Sequence, residues 1–290
     1  MKNPLPRVAA IHDLSGFGRC SLTVVIPILS TMGFEVCPVP TAVLSTHTAI
    51  EGFTLFDLTD ELPGFIKHWE KLGLRFEGIY SGFLGSVAQV DIVSNFIDAF
   101  STPETLVVVD PVMADHGKMY ASMPPEMVSE MRKLSAKAKV VTPNITEAAF
   151  MLNRPVPESM SEEEVKDWLR ALSDLGPTMP VITSLPLKSR ESQSAVAAYN
   201  REDGRFWLTG RPEVPIQYHG TGDMFSSVLT GSLLQGDSLP IAIDRSSQFV
   251  ANAIRVTFGY SGLGHNEILL ERSLKNLLSP VLSENYDLLP

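Results

Sequence analysis

The chain has 290 residues, 44% of them hydrophobic, with 23 Lys and Arg against 33 Asp and Glu and a formal net charge of −10. This length and apolar content suffice for a large buried core, and the polar patterning excludes a membrane protein. Phosphate-backbone binding depends on clustered Lys and Arg, and the chain has no basic run. A general nucleic-acid binder is therefore excluded as well.

The chain carries only two cysteines, Cys20 and Cys37. This number excludes a disulfide scaffold and is typical of free thiols in a reducing compartment. The segment after Met1 leads into a short strand and lacks a long apolar run followed by a cleavage site. We therefore predict a cytoplasmic protein.

Short apolar runs rich in β-branched residues alternate with longer amphipathic stretches. Such alternation predicts βαβ units around a mainly parallel sheet. Strands are predicted at 8–11, 34–36, 78–80, 106–109, 140–141 and 181–182. Helices are predicted at 20–32, 58–72, 87–99, 125–137 and 161–175.

The pattern changes after the strand near 181. Apolar runs at 194–199 and 205–208 flank a turn at 201–204, which predicts a hairpin and an antiparallel edge. Helices follow at 222–235, 239–258 and near 267–277. The sequence shows no composition break or internal repeat, so we predict a single domain over 1–290. Within it, the stretch 44–57 is rich in small polar residues and is predicted to be a loop or flap.

The segments after three of the predicted strands are rich in acidic and polar residues of the kinds found in ligand sites. In an open parallel sheet, ligands bind beyond the carboxyl ends of the strands. The three segments are 12–18, 110–115 and 142–147. Helix capping explains a single Asp or Ser in such a place, but it explains three converging clusters less well. A ligand site at this edge of the sheet is predicted.

The segment His219-Gly220-Thr221-Gly222-Asp223 stands at the start of an apolar helical stretch. The two glycines free backbone N–H groups at the positive end of the helix dipole, which predicts an anion site. A carboxylate beside bound phosphate is unfavourable unless it accepts a proton, so Asp223 is a candidate general base for a hydroxyl nucleophile. An ordinary Gly-rich turn explains the bare pattern about equally well.

Asn144 and Glu147 are three residues apart at the start of a helix. This spacing places an amide and a carboxylate on one face, where they could hold a hydrated Mg²⁺. The same spacing is typical of N-terminal helix capping, which the pair alone favours. The histidines and cysteines show no His-x-x-x-His or Cys-x-x-Cys spacing, so a zinc site is not predicted.

Taken in order, the motifs of this chain resemble the ribokinase superfamily and, within it, the vitamin B6 kinases. The resemblance covers nearly the whole chain, and it implies an α/β fold: a ribokinase-like three-layer αβα sandwich with a mainly parallel sheet and an antiparallel edge. The motifs that carry it are Ser45-Thr46-His47-Thr48, Ser81-Gly82-Phe83-Leu84-Gly85-Ser86, Asp110-Pro111-Val112-Met113, Thr142-Pro143-Asn144 with Glu147, Ile182-Thr183-Ser184 and Gly220-Thr221-Gly222-Asp223.

The resemblance implies ATP-dependent phosphorylation of the 5′-hydroxymethyl group of pyridoxal, pyridoxine or pyridoxamine. Asp223 would deprotonate that hydroxyl, without needing an unusual pKa, and Gly220, Thr221 and Gly222 would receive the charge of the transferred phosphoryl group. The residues that match contacts to the substrate are Asp13, Val43, His47, Thr48 and Phe83.

The resemblance also implies ATP and Mg²⁺ as cofactors, and in some members a monovalent cation, K⁺ or Na⁺. The residues that match nucleotide-side positions are Asp115, Asn144, Glu147, Thr183, Ser184 and Thr221. The residues that match cation-side positions are Asp110, Asp115, Thr142 and Glu147. A lid at 114–120 would cover the nucleotide, and a homodimer is the expected state.

Two departures from the B6 kinase pattern leave an alternative open. Asp13 stands where those kinases usually carry Ser, and Gly16-Phe17-Gly18-Arg19 lacks their usual Gly-Asn ending. An Asp there is more typical of the hydroxymethylpyrimidine kinases of thiamine synthesis, which lack the Ser-x-His-Thr flap. We therefore predict a B6 vitamer as substrate, with hydroxymethylpyrimidine as the alternative. Asp13 is a candidate contact to a protonated pyridine ring or to the pyridoxamine amine.

Two further classes of protein fit the sequence less well. A binder that has lost catalysis has no use for a base beside an anion site, so the intact 220–223 segment disfavours it. A sugar or nucleoside kinase of the same superfamily usually carries a longer early lid than the stretch 44–57.

Overall fold

A mixed ten-stranded sheet is the centre of the computed structural model, which describes residues 5–190, 193–214, 216, 218–260, 267–278 and 286–289. The strands in chain order are β1 (Arg7–Phe17), β2 (Glu35–Thr46), β3 (Leu55–Asp57), β4 (Gly78–Ser81), β5 (Leu106–Val109), β6 (Ala114–Asp115), β7 (Lys118–Met119), β8 (Val140–Val141), β9 (Met179–Leu185), β10 (Gln193–Asn200), β11 (Arg205–Pro212) and β12 (Tyr286–Leu289). The order across the large sheet is β12-β11-β10-β9-β8-β5-β4-β1-β2-β3, and β6 and β7 form a separate two-stranded hairpin.

The six strands from β2 to β9 in that order pair in parallel, and antiparallel strands flank them on both sides. The predicted mainly parallel sheet and the antiparallel hairpin of β10 and β11 are confirmed. The central strand β5 reads Leu-Val-Val-Val and is buried along its whole length, as expected for a strand covered on both faces.

Helices cover both faces of the sheet. They are α1 (Leu22–Thr31), α2 (Leu62–Leu72), α3 (Val87–Phe100), α4 (Met127–Ser135), α5 (Ile145–Leu152), α6 (Glu162–Asp174), α7 (Thr221–Leu234), α8 (Leu239–Phe258) and α9 (Leu270–Ser273). In β1, Ala9 and Ile11 pack into the core shared with α2 to α6, whereas Val8 and Ala10 pack into the core shared with α1, α7, α8 and α9. Alternate side chains of one strand therefore serve both cores, which is the predicted three-layer αβα arrangement.

The structure differs from the sequence prediction at the carboxyl ends of β1 and β2. Both strands run well past their predicted ends at 11 and 36, because they continue as a paired ribbon from Leu14 opposite Val43 to Phe17 opposite Thr46. The stretch 44–57, predicted to be a loop or flap, therefore begins in β2 and ends in β3, which pairs antiparallel with β2. A second antiparallel edge results, which the sequence pattern did not predict.

None of the helices within the described residues is long and apolar enough to cross a membrane.

Candidate functional site

The predicted polar segments meet at the carboxyl ends of the parallel strands. The amide of Asp110 donates to the carbonyl of Ser81 at 2.8 Å, and the amide of Thr142 donates to the carbonyl of Val109 at 3.2 Å. Asp13 differs from its predicted place after a strand, since it lies inside β1 where the register with β2 shifts between His12 and Leu14. Such a bulge redirects one side chain of a strand, here the carboxylate of Asp13.

The glycine segment forms the amino end of α7. Gly220 is the residue before the helix and has a φ of 79°. A Cβ at Gly220 would meet the carbonyl oxygen of Arg19 well inside van der Waals contact, so the position requires glycine. No described side chain caps this end of α7. The N–H groups of its first turn, which have no partner within the helix, remain available for an anion.

Asp223 lies in the first turn of α7 and is partly exposed. Its Oδ2 accepts a hydrogen bond of 2.8 Å from the backbone N–H of Ser21. The surrounding protein removes much of the water from this carboxylate and, with the negative charges of Asp110 and Asp13, raises its pKa to about 7 although the hydrogen bond from Ser21 lowers it. A carboxylate with this pKa can accept a proton near neutral pH, as a general base must, although the sequence prediction required no unusual pKa.

Asp110 and Thr142 meet the middle of α7 through Ser226. The hydroxyl of Ser226 lies 3.1 Å from Oδ2 of Asp110 and 2.9 Å from Oγ1 of Thr142. Burial raises the pKa of Asp110 to about 7. The structure thus brings together the two residues predicted near a monovalent cation, and it adds Ser226 to them.

Asn144 and Glu147 form a complete capping box at the start of α5. Oδ1 of Asn144 accepts from the amide of Glu147 at 2.9 Å, and Oε2 of Glu147 accepts from the amide of Asn144 at 2.9 Å. Oε1 of Glu147 accepts from the amide of Met113 at 3.0 Å, and the Asn144 amide group donates to the carbonyl of Ala114 at 2.8 Å. The capping interpretation is therefore confirmed, and the pair also fastens the segment that leads into the β6–β7 hairpin.

The charge of this corner fits a divalent cation that is held mainly by phosphate and water. Burial and the neighbouring Asp110 raise the pKa of Glu147 well above its ordinary value. Within the described ranges, no three His, Cys, Asp or Glu side chains are arranged to hold a metal ion by themselves. Mg²⁺ usually keeps several waters and uses one or two carboxylates together with phosphates. Glu147 could supply one such carboxylate, and because both of its oxygens accept from backbone N–H groups, it would act through water.

The remaining nucleotide-side residues line the same edge. Asp115 is exposed in the β6–β7 hairpin, and its Oδ1 accepts from the amide of His116 at 2.8 Å. Thr183 is half-buried beside Asn144, with which it forms a parallel bridge, and Ser184 is exposed with a φ of 56°. Burial, together with the charges of Glu147 and Asp115, raises the pKa of Tyr120, which follows the hairpin.

The flap reaches the glycine segment through His47. Nε2 of His47 lies 2.8 Å from Oε1 of Glu267, and the ring centroids of His47 and His219 are 4.8 Å apart. A Cβ at Gly18 would clash with the His47 ring, so this glycine lets the histidine approach. His47 is thereby fixed against the residue that precedes Gly220.

The other predicted substrate contacts lie around this corner with fewer ties. Val43 is exposed on β2, Thr48 is exposed in the turn that follows, and Phe83 is half-buried after β4. The hydroxyl of Thr41 in β2 donates to the carbonyl of Phe83 at 3.5 Å. Within the described part of the chain, no hydrogen bond ties Thr48 to the glycine segment.

Sequence reasoning missed three residues of the site. Ser226 follows Asp223 by one helical turn, so the helical spacing could have identified it. Ser21 and Glu267 contact residues 202 and 220 positions away along the chain, and no local sequence signal marks them.

The chain is similar in sequence and structure to known kinases. The profile of the family described as Phosphomethylpyrimidine kinase matches residues 72–268. A candidate phosphomethylpyrimidine kinase from Bacteroides thetaiotaomicron VPI-5482, in an orthorhombic crystal form with pyridoxal, is 52% identical with a TM-score of 0.94 over 98% of this chain and 100% of that chain. The structure of pyridoxal kinase from Lactobacillus plantarum is 30% identical with a TM-score of 0.87 over 94% and 97% of the two chains. A pyridoxal kinase of Rubrobacter xylanophilus is 27% identical over 94% of each chain.

Proposed function

Because this chain belongs to the phosphomethylpyrimidine kinase family of ribokinase-like proteins, we propose that it transfers the γ-phosphoryl group of ATP to the 5′-hydroxymethyl group of a vitamin B6 vitamer. One observation carries the proposal: a carboxylate with a pKa near 7 lies beside an uncapped glycine-rich helix start. The relatives called pyridoxal kinase and the 52% identical structure with pyridoxal support the substrate class.

The chemistry follows from the positions of Asp223 and the first turn of α7. The hydroxymethyl oxygen attacks the γ-phosphorus, a new P–O bond forms, and the bond from that phosphorus to the β-γ bridging oxygen breaks to release ADP. Asp223 takes the hydroxyl proton, while the N–H groups near Gly220, Thr221 and Gly222 stabilise the charge on the transferred phosphoryl group. Positioning supplies most of the rate, because the nucleophile becomes acidic only late in such a transfer.

The positions of several residues near the carboxyl ends of the strands support a nucleotide side. Thr183, Ser184 and Asn144 would contact ATP phosphates, and Asp115 would face the metal from the β6–β7 hairpin. Mg²⁺, when bound, neutralises the phosphate charge. Asp110 and Thr142, joined through Ser226, would lie next to a monovalent cation, K⁺ or Na⁺.

Phosphorylation of hydroxymethylpyrimidine is the second candidate function. The matching family profile, described as Phosphomethylpyrimidine kinase, and the Asp at position 13 favour it. The His47 anchor of the flap favours the B6 vitamer, since the flap motif belongs to the B6 kinase pattern. Val43, His47, Thr48 and Phe83 would contact either ring.

A homodimer is part of the proposal. The edge strand β3 exposes 47% of Leu55 and 74% of Phe56, and the neighbouring Val43 is 40% exposed. An exposed apolar edge strand is a surface that proteins normally cover. Light scattering of wild type and of Phe56→Asp tests it: a wild type of twice the monomer mass is expected, with the variant shifted to monomer.

The single domain and the cytoplasmic location also remain proposals. The large sheet takes strands from near both ends of the described chain, from Arg7 to Leu289, which supports one domain. Cys20 and Cys37 carry no disulfide, which supports a reducing compartment.

Turnover of Mg·ATP tests the function directly. The purified protein is given pyridoxal, pyridoxine, pyridoxamine and 4-amino-5-hydroxymethyl-2-methylpyrimidine side by side. We expect selective turnover of the B6 vitamers, and a kcat about two or more orders of magnitude lower in Asp223→Asn with ATP binding retained. Preference for the pyrimidine would select the second candidate, and full activity of Asp223→Asn would disprove the role of the base.

A further inference from the structure

Ser21 joins two carboxylates of the site through two different groups. Its backbone N–H donates to Oδ2 of Asp223 at 2.8 Å, and its hydroxyl donates to Oδ1 of Asp13 at 2.5 Å. The three residues come from β1, from the turn before α1 and from α7. A hydrogen-bonded connection therefore runs from the bulge of β1 to the base.

The backbone of Ser21 is held in a conformation that glycine favours. Its φ is 49° and its ψ is −131°, close to the first central residue of a type II′ turn. A serine in this conformation is strained unless its surroundings hold it there. The bond from its hydroxyl to Asp13 is the side-chain contact that holds it. The same conformation turns the N–H of Ser21 toward Asp223.

Asp13 is placed for this task. It is only 5% exposed, and its second oxygen, Oδ2, lies 3.4 Å from the hydroxyl of Ser15. Burial raises the pKa of Asp13. Both oxygens of the carboxylate are thus engaged inside the protein, and its negative charge also acts on Asp223.

We propose that Asp13 is a positioning residue that acts through Ser21, fixing the strained turn whose N–H holds the base Asp223 in place. The proposal rests on the proposed kinase function. It differs from a substrate contact, in which Asp13 would bind the ring or the amine of the vitamer. Loss of the Asp13 acceptor lets Ser21 relax to a negative φ, which turns its N–H away from Asp223.

Steady-state kinetics of four variants test the proposal with Mg·ATP and the three vitamers. Asp13→Ala and Ser21→Ala remove the hydrogen bond, Asp13→Asn keeps an acceptor for the Ser21 hydroxyl, and Ser21→Gly removes the hydroxyl but accepts the positive φ without strain. Asp91→Ala, an exposed carboxylate on α3, is the matched control. Circular dichroism and thermal melting establish that each variant is folded.

We expect Asp13→Ala and Ser21→Ala to lower kcat roughly tenfold or more, with each KM changed less than about twofold. Asp13→Asn and Ser21→Gly should keep most of the wild-type kcat, and the ratio of rates on pyridoxal and pyridoxamine should stay the same in all variants. This rescue pattern is not expected from a merely structural defect.

Three results would overturn the proposal. Wild-type kcat in both alanine variants would show that the turn needs no support from Asp13. A loss confined to the KM of the vitamer, or a changed pyridoxamine ratio in Asp13→Asn, would make Asp13 a substrate contact. A folded wild type that phosphorylates none of the vitamers and not the pyrimidine would remove the kinase function itself, and this inference with it.

Discussion

Replacement of Gly220 by Ala changes the one residue on which the start of α7 depends most. The φ of 79° costs a non-glycine residue about 1–3 kcal/mol. The added Cβ also collides with the carbonyl oxygen of Arg19, a backbone atom that cannot rotate away. Relief of that overlap requires a backbone shift that costs roughly 1–3 kcal/mol more. We therefore expect Gly220→Ala to destabilise the protein by about 2–6 kcal/mol, the sum of these two costs.

We also expect Gly220→Ala to lower kcat. The shift of the Arg19 carbonyl would move Ser21, two residues later, whose N–H donates to Asp223. Thermal melting followed by circular dichroism should show Tm lower by roughly 4 °C or more, at about 2 °C per kcal/mol for a chain of this size. Kinase turnover below the melting transition should show kcat reduced about a hundredfold, as for loss of a main anion-stabilising group.

Gly222→Ala is the matched control for stability. Gly222 lies in the first turn of α7, has no positive φ, and a Cβ there would meet no atom within 4 Å. Alanine is the better helix former by about 1 kcal/mol, so Tm should be unchanged or slightly higher. Equal Tm values for the two variants, or a Gly220→Ala enzyme with wild-type turnover, would refute the geometry assigned to this turn.

Three other changes are expected to have measurable effects. The pKa of Asp223 is raised to about 7, so kcat at saturating substrate should rise as pH increases through 7, and a profile flat from pH 5.5 to 8.5 would contradict the assigned base. The pKa of Asp110 is raised from 3.8 to about 7, so folding is coupled to proton uptake between pH 3.8 and pH 7. The free energy of unfolding therefore decreases as pH rises through this range. Asp110→Asn should therefore raise Tm at pH 8 more than at pH 5, and a uniform shift would refute this reasoning. Glu267→Ala removes the partner of His47 and should raise the KM for the vitamer roughly tenfold with less change in kcat, a split that initial rates will reveal.

The sequence predicted the layers of the fold well because burial leaves a local pattern. A run such as Leu-Val-Val-Val in β5 is typical of a strand covered on both faces, and α6, predicted at 161–175, begins with a capping box at Ser161. The extension of β1 was missed because polar residues and Gly16 interrupt its apolar pattern, and that of β2 because Pro38 and Pro40 are unfavourable within a strand. Their pairing depends on a neighbouring strand rather than on apolar periodicity.

For the candidate site, the glycine motif was readable because its chemistry lies in consecutive residues. Gly220 and Asp223 are close in space because both belong to the start of one helix. Asn144 and Glu147 were also placed correctly on one helix turn, where the capping alternative is the arrangement observed. Residues that act within one turn of helix are visible to sequence reasoning, since helical geometry fixes their distance.

The sequence by itself therefore determined the αβα layers, the glycine-rich helix start and the choice of Asp223 as the candidate base. Only the tertiary structure decided that Asp13 lies in a bulge and contacts Ser21, that Glu267 meets His47, and that the pKa of Asp223 lies near 7. The physical reason is the range of the interactions. Helix starts and buried strands are set by neighbours along the chain, whereas contacts across the sheet and the loss of water around a carboxylate exist only after the chain has packed.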